Sequence, residues 1–201
     1  VLNNEKYAQS AEKAMSFMLK NLRNKDGSLL KRYRNGNAGL TGVLDDYAFT
    51  IWALIELYHL NYNEKYIEIA MELCDYQIDQ FWDFDNHGFF FTAASGEKLL
   101  VRIKEVYDGA IPSGNSIAVL VLNRLYRMTG NAKWANLAEK TLRSFSNDLE
   151  RVPSGYTAMI LGMMYDTYGS KEIVVVGTSR DEETNKVLKE LQSLYIPQRI
   201  M

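Results

Sequence analysis

Three stretches of the chain space their apolar residues by three and four, the mark of a helix greasy along one stripe. They are Tyr7, Ala11, Ala14, Met15, Met18 and Leu22; Tyr66, Ile69, Ala70, Leu73 and Phe81; and Trp134, Leu137, Ala138, Leu142, Phe145 and Leu149. Alternating with them are three helical segments, 45–60, about 113–128 and about 154–168, that are apolar on nearly every side. A helix of that second kind has to be covered all round. The striped helices therefore belong on an outer surface and the others inside.

The alternation is also a repeat. Asn4-Glu5-Lys6-Tyr7 returns as Asn63-Glu64-Lys65-Tyr66 and, in weaker form, as Asn131-Ala132-Lys133-Trp134. Leu54, Leu57 and Tyr58 of the first inner segment match Leu122, Leu125 and Tyr126 of the second. Outer-to-inner connections are long and carry turn and strand signals, Lys25 to Leu30 and Asp85 to Thr92, whereas the returns, Asn61-Tyr62 and Thr129-Gly130, are short. This predicts a mainly α chain forming an α/α toroid of helical hairpins. An ordinary bundle has no reason to sort its helices into two alternating classes.

Beyond Gly169 the pattern changes. Glu172 to Val176 is a β-branched run, Asp181 to Leu194 reads as a helix, and Tyr195 to Met201 opens a second strand. The expected organisation is a toroid of three outer and three inner helices over 1–169, followed by a strand-helix-strand appendix over 170–201 of parallel type. Gly177-Thr178-Ser179 has neither the glycine spacing nor the lysine of a phosphate loop. The chain opens at Val1, directly in a helical pattern, and reads as a fragment with a truncated appendix.

Composition narrows the classes. A formal net charge of -2 and a pI near 5.8 supply no basic footprint for nucleic acid. The lone Cys74 reads as a small buried hydrophobe. Neither a membrane span nor an export signal is visible, so the cytoplasm is the expected location.

Gly42-Val43-Leu44-Asp45-Asp46-Tyr47-Ala48-Phe49, Gly88-Phe89-Phe90-Phe91-Thr92 and the run from Lys104 through Tyr107-Asp108-Gly109-Ala110-Ile111-Pro112-Ser113-Gly114-Asn115-Ser116 resemble the spermatogenesis-associated, thioredoxin-domain-containing proteins. The resemblance covers the whole chain. It implies a longer parent with a thioredoxin-like domain followed by a six-hairpin toroid similar to those of N-acylglucosamine epimerases and several glycoside hydrolases. This chain would be roughly the second half of that toroid, with residues 1–169 making a partial (α/α)6 ring. It contains no Cys-x-x-Cys.

In such a ring the inner helices run parallel, and their starts gather at one mouth with the 85–92 turn and the 102–116 loop. Asp46 and Asp108 are the expected catalytic residues, since glycosidic hydrolysis uses one protonated and one ionised carboxyl about 5 to 9.5 Å apart. Asp45, Tyr47, His87, Phe89, Arg102, Lys104, Tyr107 and Asn115 complete the expected sugar-binding set. Each has a plainer alternative. Asp45 can cap a helix, Asp108 can shape a turn before Gly109, and Pro112 to Ser116 can be a helix start. The aromatics Tyr47, Phe89, Phe91 and Tyr107 can be core rather than a stacking floor. Arg102 and Lys104 share one face of an extended segment and can meet an acidic ligand or pair with Asp45 or Asp46. His59 falls at the far end of its helix, so no histidine pair suits an epimerase here. No cluster has metal-ligand spacing, and neither metal nor cofactor is expected.

Two functions follow: a carbohydrate-binding or carbohydrate-processing toroid, glycosidase-like or epimerase-like, or a non-catalytic scaffold serving the thioredoxin-like domain. In either case half a ring leaves apolar inner-helix surface for the missing part of the parent or for another copy.

Overall fold

The computed structural model describes residues 4–178 and 181–201. Val1 and Ser179, named above, lie outside the described residues. The outer helices are α1 (Glu5–Asn21), α3 (Lys65–Phe81) and α5 (Ala132–Ser144), and the inner ones are α2 (Leu44–Asn61), α4 (Gly114–Thr129) and α7 (Thr157–Thr167). The repeated asparagine has one physical job in all three copies. Asn4, Asn63 and Asn131 each accept a hydrogen bond from the backbone N–H of the lysine two residues on, at 3.0, 3.2 and 3.1 Å. Each thereby satisfies an orphan donor at the start of an outer helix. The short returns are alike too, with Tyr62 and Gly130 taking left-handed backbone at the ends of α2 and α4.

Helix α4 is the centre. Every residue from Ser113 to Leu125 is buried, because α2 packs on one side, α7 on another and α5 behind. Close approach is built in by glycine. A Cβ on Gly114 would overlap the Asp45 carboxylate and stand 2.7 Å from Leu44 Cγ, while one on Gly162 would stand 2.9 Å from the Leu120 backbone nitrogen. The polar groups inside are bridged: Asn123 Nδ2 donates to the Gly162 carbonyl at 3.1 Å. Arg124 pairs with Glu56 at 2.5 Å and contacts His59 Nδ1 at 3.1 Å, tying α4 to α2. The chain is a partial α/α toroid.

Four details differ from the sequence expectation. Strands β1 (Leu30–Arg34) and β2 (Asn37–Thr41) form an antiparallel hairpin before α2. Its turn, Asn35-Gly36, has both φ angles positive, as a two-residue hairpin of the primed type requires. The third outer run is broken at Phe145 into α5 and α6 (Ser146–Arg151), which turns the Phe145 ring in against Gly88. Pro153–Gly155 forms a 3-10 turn rather than the first turn of α7. In the C-terminal unit only β3 (Lys171–Glu172) and β4 (Arg199–Ile200) pair, in parallel, flanking α8 (Glu182–Ser193). Val174 and Val176 stay exposed because β4 offers them no partner.

This terminal unit sits at the opposite end from the inner-helix starts. Gln192 donates to the Leu60 carbonyl, Tyr62 Oη donates to Met201 Sδ, and Arg127 faces Glu172.

Candidate functional site at the inner-helix rim

The starts of α2, α4 and α7 meet at one rim, which brings Asp45, Asp46 and Asp108 to the same end of the molecule. Asp46 reaches back over the start of α2: its Oδ2 accepts from the Val43 N–H at 2.8 Å, the half of a capping box that a valine N-cap leaves possible. Asp108 spans two helix starts. Its Oδ1 accepts from the Ser113 N–H at 3.0 Å and its Oδ2 from the Ala158 N–H at 2.8 Å. Since α7 has no side-chain cap of its own, Asp108 supplies one from the loop. A carboxylate placed there also meets the positive ends of two helices.

The run from Tyr107 to Ser116 is thus a clasp. Ser113 caps α4 by accepting from the Ser116 N–H, and its hydroxyl reaches the Val106 carbonyl at 3.0 Å. Asn115, fully buried, accepts from the Phe89 N–H at 2.8 Å and donates to the carbonyls of Phe89 and Glu105 at 2.9 and 2.8 Å. It is spent on holding two loops together and does not reach the cavity described next.

Beside the clasp lies a cavity of about 540 Å³ between α1, the hairpin and the start of α2; its polar lining is Lys31, Asp45, Asp46 and Thr50. Asp108 does not line it. Asp45 is the most perturbed of these groups. Burial raises its carboxyl above the ordinary range, the charge of Glu105 adds to the rise, and the Gly114 N–H opposes it. Its Oδ1 is sealed from solvent without a hydrogen-bond partner, a state that buried carboxylate oxygens rarely tolerate.

The other expected residues lie elsewhere. Tyr47 and Phe89 are core, both without exposed surface. Tyr47 stacks on Tyr76 and its hydroxyl accepts from the Leu29 N–H at 2.7 Å. Phe89 packs edge-on against Trp82. Their size and apolarity explain that placement, and they provide no floor for a ring. Arg102 and Lys104 do share a face, over the Phe90 ring at 4.2 and 5.3 Å, but neither pairs with Asp45 or Asp46. Arg102 donates to the carbonyls of Thr92 and Gln80. Lys104 bonds to Asp83 at 2.7 Å and to the His87 carbonyl. Burial works to raise the Asp83 carboxyl, yet Lys104 and the N–H groups of Asn86 and Asp85 hold it below the usual carboxylate range.

His87 sits in left-handed backbone at the turn, its ring stacked on Trp82, with Nδ1 buried and unpartnered. Tyr107 remains exposed at the rim, packed edge-on to Tyr156 above Gly155. His59 lies at the far end, in the cluster with Arg124 and Glu56. Three residues that matter at the rim were not anticipated: Lys31, Glu105 and Ile111. The Asn35-Gly36 turn could have placed Lys31, because it fixes the hairpin that carries it. Among the described residues no group of three His, Cys, Asp or Glu side chains is arranged to hold a metal, and no helix is long and apolar enough to cross a membrane.

No protein-family model matches the sequence. Rat spermatogenesis-associated protein 20 is 31% identical over 211 aligned residues, taking in all of this chain and 27% of the rat protein. The human protein is 32% identical over 168, covering 83% of the chain and 21% of its own length. The chain corresponds to one segment of the spermatogenesis-associated protein 20 family. It spans about a quarter of the length of these relatives. Among solved structures, a family 76 α-mannanase of Bacteroides thetaiotaomicron superposes with a TM-score of 0.60 at 15% identity, over 83% of this chain and 47% of that one. The unsaturated glucuronyl hydrolase of Bacillus sp. GL1 gives 0.53 at 14% identity, over 95% and 55%. Identities this low speak for the α/α toroid fold alone.

Proposed function

We propose that this segment forms one wall of a carbohydrate-binding toroid, with the sugar-like ligand at the inner-helix rim and Asp45 as the proton-bearing carboxyl. The observation carrying this is Asp45 itself, raised by burial and by Glu105, with an unpartnered oxygen, on the wall of a cavity at the inner-helix starts. A carboxyl that holds its proton more tightly than usual is what acid catalysis on a glycosidic oxygen uses. Asp46 and Asp108, the pair first expected, are already bonded to backbone N–H groups, which favours structural duties for both. Calorimetric titration of the full-length protein with a panel of neutral and acidic sugars tests the reading. Binding that weakens at least tenfold in Asp45→Asn supports it, and affinity untouched by that change sinks it.

The second reading, a scaffold without chemistry, draws on the same engaged carboxylates. It predicts sugar turnover at the solvent background in the full-length protein. In either reading a partner covers α7, whose Thr157, Leu161, Met164 and Tyr168 form one stripe, with Leu161 42% and Tyr168 75% exposed. The rest of a toroid or a second copy fits that stripe. Light scattering that finds the protein monomeric, with Tyr168 fluorescence as solvent-quenched as free tyrosine, rules the partner out.

A further inference from the structure

The rim cavity is lined mostly by apolar side chains with a few charged groups from the start of α2 and the hairpin, and we infer that its ligand is an amphipathic glycoside, a sugar carrying an apolar aglycone. This rests on the reading that the rim binds a sugar. Beyond Lys31, Asp45, Asp46 and Thr50, whose hydroxyl is spent on the Asp46 carbonyl, the walls include Met15, Met18 and Leu22 of α1, Phe49 and Ala53 of α2, and Ile111 of the clasp loop. At about 540 Å³ the space suits a small molecule larger than one sugar ring.

A free sugar has hydroxyls on every edge. Inside this channel those facing methionine and leucine would give up water for nothing, at about 1–3 kcal/mol for each unpaired group. An alkyl or aryl group there gains about 25 cal/mol per Å² of apolar surface removed from water. Two unbranched methionines let the wall adapt to such a chain. The Asp45 and Asp46 carboxyls and the Lys31 ammonium supply the polar groups for a sugar head. The lining of the cavity thus matches a molecule with a sugar head and an apolar tail, and disfavours a plain oligosaccharide. Ile111, 67% exposed, stands on the cavity wall with its surface still open to solvent.

The test compares methyl and hexyl glycosides of glucose, mannose and glucuronic acid, with hexanol alone, by calorimetric titration of the full-length protein. For the sugar that binds, the hexyl form is expected to bind at least about tenfold tighter than the methyl form. Ala53→Trp, which fills the channel, removes that gain and leaves methyl-glycoside affinity in place. Met18→Asn, which makes the wall polar without filling it, does the same and serves if the first variant fails to fold by circular dichroism. Equal affinity for methyl and hexyl forms, or a gain that survives both folded variants, overturns the amphipathic ligand while the sugar reading stands. Hexanol binding with no glycoside bound overturns the sugar reading and this inference with it.

Discussion

Asp108 does for α7 what α7 cannot do for itself. Both of its oxygens are taken by backbone N–H groups of different helices, so Asp108→Ala should lower stability by about 1–3 kcal/mol in urea unfolding. Asp108→Asn should recover only part, because the amide keeps one acceptor and turns a donor toward a donor. An unchanged midpoint in both variants would return Asp108 to the list of free carboxylates. Asp45 and His59 predict opposite pH effects. Asp45 holds its proton more tightly folded than unfolded, so stability falls as pH rises from the ordinary carboxylate range through its raised value. Asp45→Asn should therefore be the more stable protein at pH 7. His59 is pushed down to about 4 by burial and by Arg124, against the partial counteraction of Glu56. Between about 4 and its ordinary value of 6.5 the unfolded state holds more protons. Its contribution is then full above that window and lost on acidification, and His59→Gln should flatten the stability profile there. At this scale the sequence was partly legible. Asn4, Asn63 and Asn131 declared their shared role by recurring. Asn115 did not, because a buried amide that bridges two loops looks, in one dimension, like an amide that binds a ligand.

At the scale of the element, the inner and outer classes of helix were legible from periodicity, since burial on one face or on all faces leaves a direct trace. What periodicity cannot carry is a local backbone decision. The helix break at Phe145 follows from where its ring must go, against Gly88, a contact between residues far apart in sequence. The hairpin is legible in Asn35-Gly36, a stronger turn signal than the one at Lys25 to Leu30. Glycines at the helix crossings make the sharper prediction. Gly114→Ala drives a methyl into Asp45 and Leu44, and Gly162→Ala into the backbone of α4 at Leu120. Each should lose about 1–3 kcal/mol in chemical denaturation. Gly109, with open space around its Cβ position, is the control and should tolerate alanine within about 0.5 kcal/mol.

For the whole molecule, the arrangement of duties is lopsided. One end gathers helix starts, loops and a cavity, while the other is occupied by the terminal β-α-β unit seated on Leu60, Tyr62 and Arg127. The sequence anticipated the common rim of the inner-helix starts and the parallel pairing of the terminal strands, but not where the terminal unit sits. It overestimated the strand at Glu172 to Val176, because a β-branched run records a preference and the extent of a ladder is set by its neighbour.

Helix α4, enclosed on all sides, has one more consequence. The amide hydrogens of its buried stretch, up to Leu125, have no local route to solvent, so in deuterated buffer they should exchange only when the entire fold opens, at a free energy equal to that from urea. Amides of the β1–β2 hairpin, two short strands with largely exposed residues, should be replaced orders of magnitude sooner. A mass spectrometer following both peptides would then read the global stability of the native state from the first and the breathing of the rim from the second.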